Sequence, residues 1–408
     1  MLALTILAGQ GKICGRSGSQ TQREGKMSAK DKVLSRAVDR QDAPFVVAMV
    51  ASNKGPTYSG AFGEAAPGRM AVEDTVFRIY SMTKAVGSTA AMILIDRGKL
   101  DPDKPVEDVL PEFAEIKVLE RFDGDTPVLR APRVQATARH LATHTSGLEY
   151  EFWNGDVAAY LQKTGHPSIL TGLKKSMFYP MMTDPGTRWG YGPSIDWLGQ
   201  MVEKIDGRRI DQFCREEIFE PLGMKDTAFE PTDEINKRLA AVKIRGEDGT
   251  FGPFEIAPPP NPEVYGMGHA LYSTAPDYLQ FLRMLLSLGT LNGNRILSEK
   301  AIDWMLADRM NGLTFAKMVT AVPVITADCD PFPGTRLTHG FSALRNEDDI
   351  PGRRSAGSLS WAGVLNTHFW IDPKKDLAAV IMTQSLPFLE PRYMQLYADY
   401  ETAVYAEA

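Results

Sequence analysis

Ser81-Met82-Thr83-Lys84 is the one S-x-x-K in the chain, and its reading decides the fold. Residues three apart on a helix share a face, one turn from each other. If Ser81 starts a helix, the Lys84 amine stands beside the serine hydroxyl. The helix N-terminus adds positive potential that favours developing negative charge there. Lysine is protonated at neutral pH, so a basic role needs burial or nearby positive charge to depress its pKa. The plain alternative is a surface helix with Ser81 as its N-cap. The flanks favour the first reading. Thr75 to Ile79 (TVFRI) is extended in character and leads into Ser81, and the segment from about 82 to 97 is rich in helix formers until Gly98.

Outward from this centre the chain divides into three parts. Residues 28–41 predict an amphipathic helix with Val33, Leu34 and Ala37 on one face. Phe45 to Ser52 (FVVAMVAS) predicts a strand, Gly55-Pro56 a turn, and Thr57 to Phe62 the hairpin partner. The acid- and proline-rich stretch 101–112 reads as a loop. From about 115 to 285 the pattern is helical segments broken by Pro and Gly, with Gly252 to Pro262 a surface loop or lid edge. In the last third, Phe341 to Leu344, Trp361 to Trp370 and Leu377 to Gln384 predict strands, Asp372 to Asp376 a polar turn, and 391–406 a closing helix. Strands at both ends of a helical middle imply an α/β fold. Its antiparallel sheet is flanked by helices, built from both termini, and interrupted by a mainly helical insertion. We expect residues 27–114 and 286–408 to form the α/β domain and 115–285 the helical one, with the active site between them. Residues 1–26, polar and Gly/Ser/Gln-rich after nine apolar positions, read as a disordered tail.

Composition narrows the partners. Of 408 residues, 43% are hydrophobic and 24% charged, enough for a large core. The net charge of −6, with no basic stripe, argues against nucleic acid. No apolar run reaches the ~20 residues of a membrane span. Cys14, Cys214 and Cys329 are too sparse for a disulfide framework, which fits a reducing compartment and a cytoplasmic location. There is no G-x-S-x-G, H-E-x-x-H or C-x-x-C. His140 and His144, four apart, could be read as a metal pair but have no third ligand nearby, so neither a metal nor an organic cofactor is expected. His339 and His368 fall near the expected cleft edge without a role.

Two further segments carry chemistry. In Trp189-Gly190-Tyr191-Gly192-Pro193-Ser194, Tyr191 sits among small residues before an apparent helix over 195–206, so its phenol can point into a cleft. A core tyrosine is the alternative. In Trp361-Ala362-Gly363-Val364, small residues at a strand start allow a backbone to approach a ligand closely. An ordinary strand with a packed tryptophan is the alternative.

An S-x-x-K, a tyrosine motif about a hundred residues later and a W-x-G strand near the C-terminus together resemble the family VIII carboxylesterases. Those are similar to class C β-lactamases, DD-peptidases and lovastatin-type acyltransferases. The resemblance covers most of residues 40–390. His140 to Leu148 (HLATHTSGL), Glu220 to Met224 (EPLGM) and Gly266 to Asp277 (GMGHALYSTAPD) resemble family signatures in the right order. It implies that Ser81 attacks a carbonyl while Lys84 and Tyr191 accept and return its proton. It also implies an oxyanion hole from the backbone N–H groups of Ser81 and Val364, with Trp361, Ala362 and Gly363 against the substrate. Two departures weaken β-lactams as substrates. Tyr191-Gly192-Pro193 lacks the amide of Y-x-N, and Trp361 replaces the lysine of K-T-G, leaving Arg353 or Arg354 as the only suspected substitutes. We therefore expect a serine carboxylesterase acting on small, short-chain esters through an acyl-serine. An acyltransferase is the nearest rival, then a weak β-lactamase, then a non-catalytic binding protein.

Overall fold

The computed structural model describes residues 27–341 and 343–407, so the tail read over 1–26 lies outside them. Its centre is an eight-stranded sheet. In chain order the strands are β1 (Phe45–Ser52), β2 (Gly55–Ala66), β3 (Arg69–Met70), β4 (Leu337–His339), β5 (Leu344–Asn346), β6 (Leu359–Gly363), β7 (Thr367–Asp372) and β8 (Leu377–Met382). Their spatial order is β4-β5-β6-β7-β8-β1-β2-β3, and every pairing is antiparallel. The sheet is thus assembled from both ends of the chain, as expected. Strands β7, β8 and β1 are buried on both faces, which is why they read as unbroken apolar runs rather than alternating ones.

Helices α1 (Ala29–Asp39) and α5 (Pro391–Tyr405) cover one face, where Leu34, Ala37, Trp370, Tyr393 and Tyr400 form a cluster. Helix α1 starts with a capping box between Ser28 and Asp31. On the other face lie α2 (Thr83–Asp96), α3 (Ser194–Asp206) and α4 (Ala275–Leu286); α4 packs on β1 and β8, and α3 on α2. Every residue of α2 from Thr83 to Leu94 is buried, because this helix lies between the sheet side and the helical side.

Several local expectations shift. The β1–β2 turn is Asn53-Lys54; Gly55-Pro56 already belong to β2, which runs on to Ala66. Within 341–344 only Leu344 lies in a described strand, as the first residue of β5, and just before it the Gly340 N–H donates to the Ala343 carbonyl at 3.0 Å. The run Trp361 to Trp370 is two strands, joined by Val364-Leu365-Asn366. The Asn366 N–H donates to the Gly363 carbonyl at 2.9 Å, and Asn366 takes φ 61°, which asparagine tolerates. The 115–285 region also contains a hairpin, Val118–Asp123 with Thr126–Arg130. The boundary expected at 285/286 falls within α4, a helix that packs on the sheet.

Candidate active site

A short strand, Val76–Arg78, pairs with Tyr272–Thr274 and delivers the chain to Ser81. Tyr80 then takes φ 39°. That left-handed conformation costs a bulky residue about 1–3 kcal/mol and persists only where its surroundings enforce it. Ser81 occupies the 3₁₀ turn Tyr80–Met82, and α2 begins at Thr83. Lys84, three residues on and in the first turn of α2, stays on the same face as Ser81.

Lys84 is 2% exposed, and its Nζ has three oxygen neighbours: Ser81 Oγ at 3.1 Å, the Tyr150 hydroxyl at 3.1 Å and the Gly268 carbonyl at 2.7 Å. Burial pushes its pKa down to about 7, with the Asp196 charge pulling the other way. A neutral amine has two N–H donors and one lone pair. Donation to Gly268 and Tyr150 leaves the lone pair for the Ser81 proton.

Tyr191 reaches the same hydroxyl from the other side. Burial pushes its phenol well above the usual value, and hydrogen bonds with Ser81 and Trp361 pull part of the way back. The Trp361 Nε1–H donates to the Tyr191 hydroxyl at 3.3 Å. The 140–148 signature holds this tyrosine in place: the His144 carbonyl accepts the Gly190 N–H at 2.8 Å, and the Tyr150 N–H donates to the Tyr191 carbonyl at 2.9 Å. The His144 ring lies edge-on to Tyr191, centroids 5.0 Å apart, with its own backbone at φ 55°.

Trp361, Ala362 and Gly363 end β6 rather than start a strand. Gly363 presses against the segment before Ser81; a Cβ there would lie 2.2 Å from the Ile79 carbonyl oxygen. The next residue, Val364, has an N–H with no acceptor among the described residues. Ser81, Lys84, Tyr191, Trp361 and Val364 are therefore brought together.

Sequence reasoning missed three neighbours of Lys84. Tyr150 lies two residues beyond the 140–148 signature. Gly268 lies inside the 266–277 segment, and Asp196 lies in the first turn of α3. Asp196 Oδ1 accepts the Gly268 N–H at 3.0 Å, which fixes the carbonyl that holds Lys84. A Cβ on Gly268 would lie 2.7 Å from Asp196 Oδ2 and 2.9 Å from the Tyr150 hydroxyl, so only glycine fits. His269 Nδ1 stands 3.7 Å from Asp196, but burial lowers the His269 pKa and keeps the ring neutral.

The metal alternative does not assemble. His140 Nδ1 accepts the Thr137 N–H in a helix cap, while His144 faces Tyr191 and His339. Among the described residues no group of three or more His, Cys, Asp or Glu could hold an ion, and no helix is long and apolar enough to cross a membrane.

A cavity of ≈ 960 Å³ opens from Ser81 between walls that include Phe152, Trp153, Phe315, Trp361 and Phe388. Among the described residues no lysine or arginine lines it. The substitutes suspected for the missing lysine are engaged elsewhere: Arg354 is fully buried with its Nε donating to Glu401 at 2.7 Å, and Arg353 lies 3.5 Å from the same carboxylate.

The Beta-lactamase family model matches residues 31–403. The chain is 30% identical over 327 residues to lovastatin esterase of Penicillium rubens, covering 77% of this chain and 80% of that one. It is also 30% identical over 353 residues to monacolin J acid methylbutanoyltransferase of Aspergillus terreus, covering 82% and 83%. The unliganded structure of simvastatin synthase from Aspergillus terreus superposes with a TM-score of 0.80 at 26% identity, over 93% of this chain and 97% of that one.

Proposed function

The chain belongs to the Beta-lactamase family and is a serine hydrolase, and from that premise we propose that it cleaves carboxylic esters through an acyl-Ser81 intermediate. The observation that carries this reading is the buried Lys84 amine, 3.1 Å from Ser81 Oγ with its pKa near 7. A base of that pKa is largely unprotonated just above neutrality, where general-base catalysis works best.

The proposed steps use these residues in turn. Lys84 takes the Ser81 proton as Oγ attacks the ester carbonyl carbon. The N–H groups of Ser81 and Val364 receive the negative oxygen of the tetrahedral intermediate. When the C–O bond breaks, Lys84 and Tyr191 together return the proton to the leaving oxygen. Water then repeats the sequence on the acyl-serine and releases the acid. Tyr150, Asp196 and Gly268 act through Lys84, by holding it.

A second reading has its own support. The cavity is far larger than a short acyl chain needs, and its walls are mostly apolar. Such a space suits a bulky apolar alcohol, either as the leaving group of a short-chain ester or as an acyl acceptor in place of water. The named relatives include both an esterase and an acyltransferase.

The test is covalent labelling with an alkyl phosphonate, followed by turnover of p-nitrophenyl butyrate with and without added alcohols. We expect one label on Ser81, none on Ser81→Ala, and a loss of turnover of several orders of magnitude in that variant. Turnover within tenfold of wild type in Ser81→Ala would defeat the reading. The ratio of transferred to hydrolysed acyl group decides between the two acceptors.

A further inference from the structure

Trp361 lines the cavity, and the same ring touches Tyr191. The two ring centroids lie 5.0 Å apart at 63°, and the indole Nε1–H donates to the Tyr191 hydroxyl at 3.3 Å. A wall for an apolar group needs no N–H at that place. Two buried imidazoles hold the indole. His144 lies nearly parallel to it, centroids 6.2 Å apart at 17°, and His339 stands edge-on at 5.6 Å and 74°. The His339 ring is itself tied by a hydrogen bond of 2.7 Å from Nδ1 to the Gly340 carbonyl. Burial lowers the pKa of both rings, His339 to about 4, so both are neutral where Lys84, at about 7, changes charge. The backbone of Trp361 is set by β6, where it stands opposite Phe369 of β7. The indole therefore meets Tyr191 already oriented.

A phenol oxygen carries one proton and accepts at its lone pairs, whereas an indole N–H only donates. Trp361 thus fills an acceptor position on Tyr191 and can neither take nor supply the reacting proton. Its effect is on the phenol. Burial makes the Tyr191 proton hard to release, and the hydrogen bonds with Ser81 and Trp361 work against that. As the proton leaves, negative charge gathers on the phenol oxygen. A hydrogen bond to a charged acceptor is roughly twice as strong as a neutral one. The contact is therefore stronger in the transition state than in the resting enzyme, which is the condition for speeding a reaction. Lys84 does not hold this oxygen. Among the described residues its Nζ bonds Ser81, Tyr150 and Gly268, and it lies over the face of the Tyr191 ring, 4.8 Å from the centroid.

We propose that Trp361 is a positioning residue for proton return, its N–H holding the Tyr191 oxygen so that the phenol passes a proton to the leaving oxygen of an alkyl ester. The inference deepens the ester-cleaving reading and rests on it. The proton that Ser81 gave up ends on the leaving oxygen, so the exchange gains and loses none. A p-nitrophenolate leaves without a proton, whereas an alkoxide needs one. Ethyl butyrate and p-nitrophenyl butyrate therefore separate this role from that of a wall. They are compared as kcat/KM at one pH, so that only the steps through acylation count. Trp361 is replaced by its benzothiophene analogue, which puts sulfur in place of the N–H in a ring of nearly the same shape. The ratio of ethyl to p-nitrophenyl turnover is expected to fall about tenfold. Tyr191→Phe is expected to lower the ratio by itself, and the sulfur analogue then to add nothing, because the phenol it acts through is gone. A ratio that the analogue leaves unchanged, or lowers equally in the Tyr191→Phe background, overturns the proposal. Turnover of neither ester by wild type defeats the ester-cleaving reading and this inference with it. Turnover that Ser81→Ala abolishes, with an unchanged ratio in the analogue, defeats this inference alone.

Discussion

Lys84 is held by three oxygens and charged or discharged by its surroundings. Burial lowers its folded-state pKa to about 7, so below that pH the amine keeps its proton and cannot serve Ser81. We expect kcat/KM for p-nitrophenyl butyrate to fall in acid with a midpoint near 7. Asp196 opposes the shift by favouring the ammonium, so Asp196→Asn should move the midpoint to lower pH while keeping an acceptor for the Gly268 N–H. A pH–rate profile measures this, and a midpoint that stays put or rises rules out a charge effect from Asp196. Tyr150→Phe removes one neutral hydrogen bond to Lys84, which should lower kcat about fivefold to tenfold with folding intact. Kinetics and circular dichroism together check it. Neither Tyr150 nor Gly268 was legible as a partner of Lys84, because they lie 66 and 184 positions from it. No local pattern reports such distances.

At the scale of elements, the end of β6 is pressed onto the chain before Ser81. Gly363→Ala places a methyl group 2.2 Å from a backbone oxygen that has little room to move. The strand end and the Ser81 turn must separate, so both the melting temperature and turnover should fall, turnover by more than tenfold. Calorimetry and ester kinetics on one preparation decide it; unchanged values would mean that the contact is not needed. On the opposite face, α5 is tied to the loop before β6 by Arg354 and Glu401, both fully buried. Glu401→Ala leaves that arginine buried and unpaired, at a cost of ~3–5 kcal/mol in urea denaturation. The elements themselves were unevenly legible. Strand β1 and helices α1, α2 and α5 have local signatures in apolar run, capping residue or period. The β6–β7 hairpin was read as one strand because its turn is signalled only by Asn366, within an otherwise apolar and aromatic run.

Over the whole molecule, the shape and charge of the cavity bear on the proposed substrate class. Among the described residues no lysine or arginine lines it, so none of them gives a β-lactam carboxylate a lysine or arginine partner there. Loss of one charge-assisted hydrogen bond costs ~1.5–3 kcal/mol, roughly tenfold to a hundredfold in binding. We expect clear turnover of p-nitrophenyl butyrate and weak or no turnover of a chromogenic cephalosporin, compared as kcat/KM on one preparation. A cephalosporin that equals the ester would show that another group anchors the lactam. The pairing of Ser81 with Lys84 was legible in the sequence, since three residues of spacing on a helical turn leave little freedom. The sequence by itself also determined the two-ended sheet, since apolar runs at both termini have to pair. Only the tertiary packing shows which carbonyl, phenol and carboxylate surround that lysine, and that the arginines suspected at the cleft pair with Glu401 of α5 instead. Burial and proximity arise from segments packing across hundreds of residues, and they set pKa and pocket shape in a way that neither composition nor local periodicity encodes.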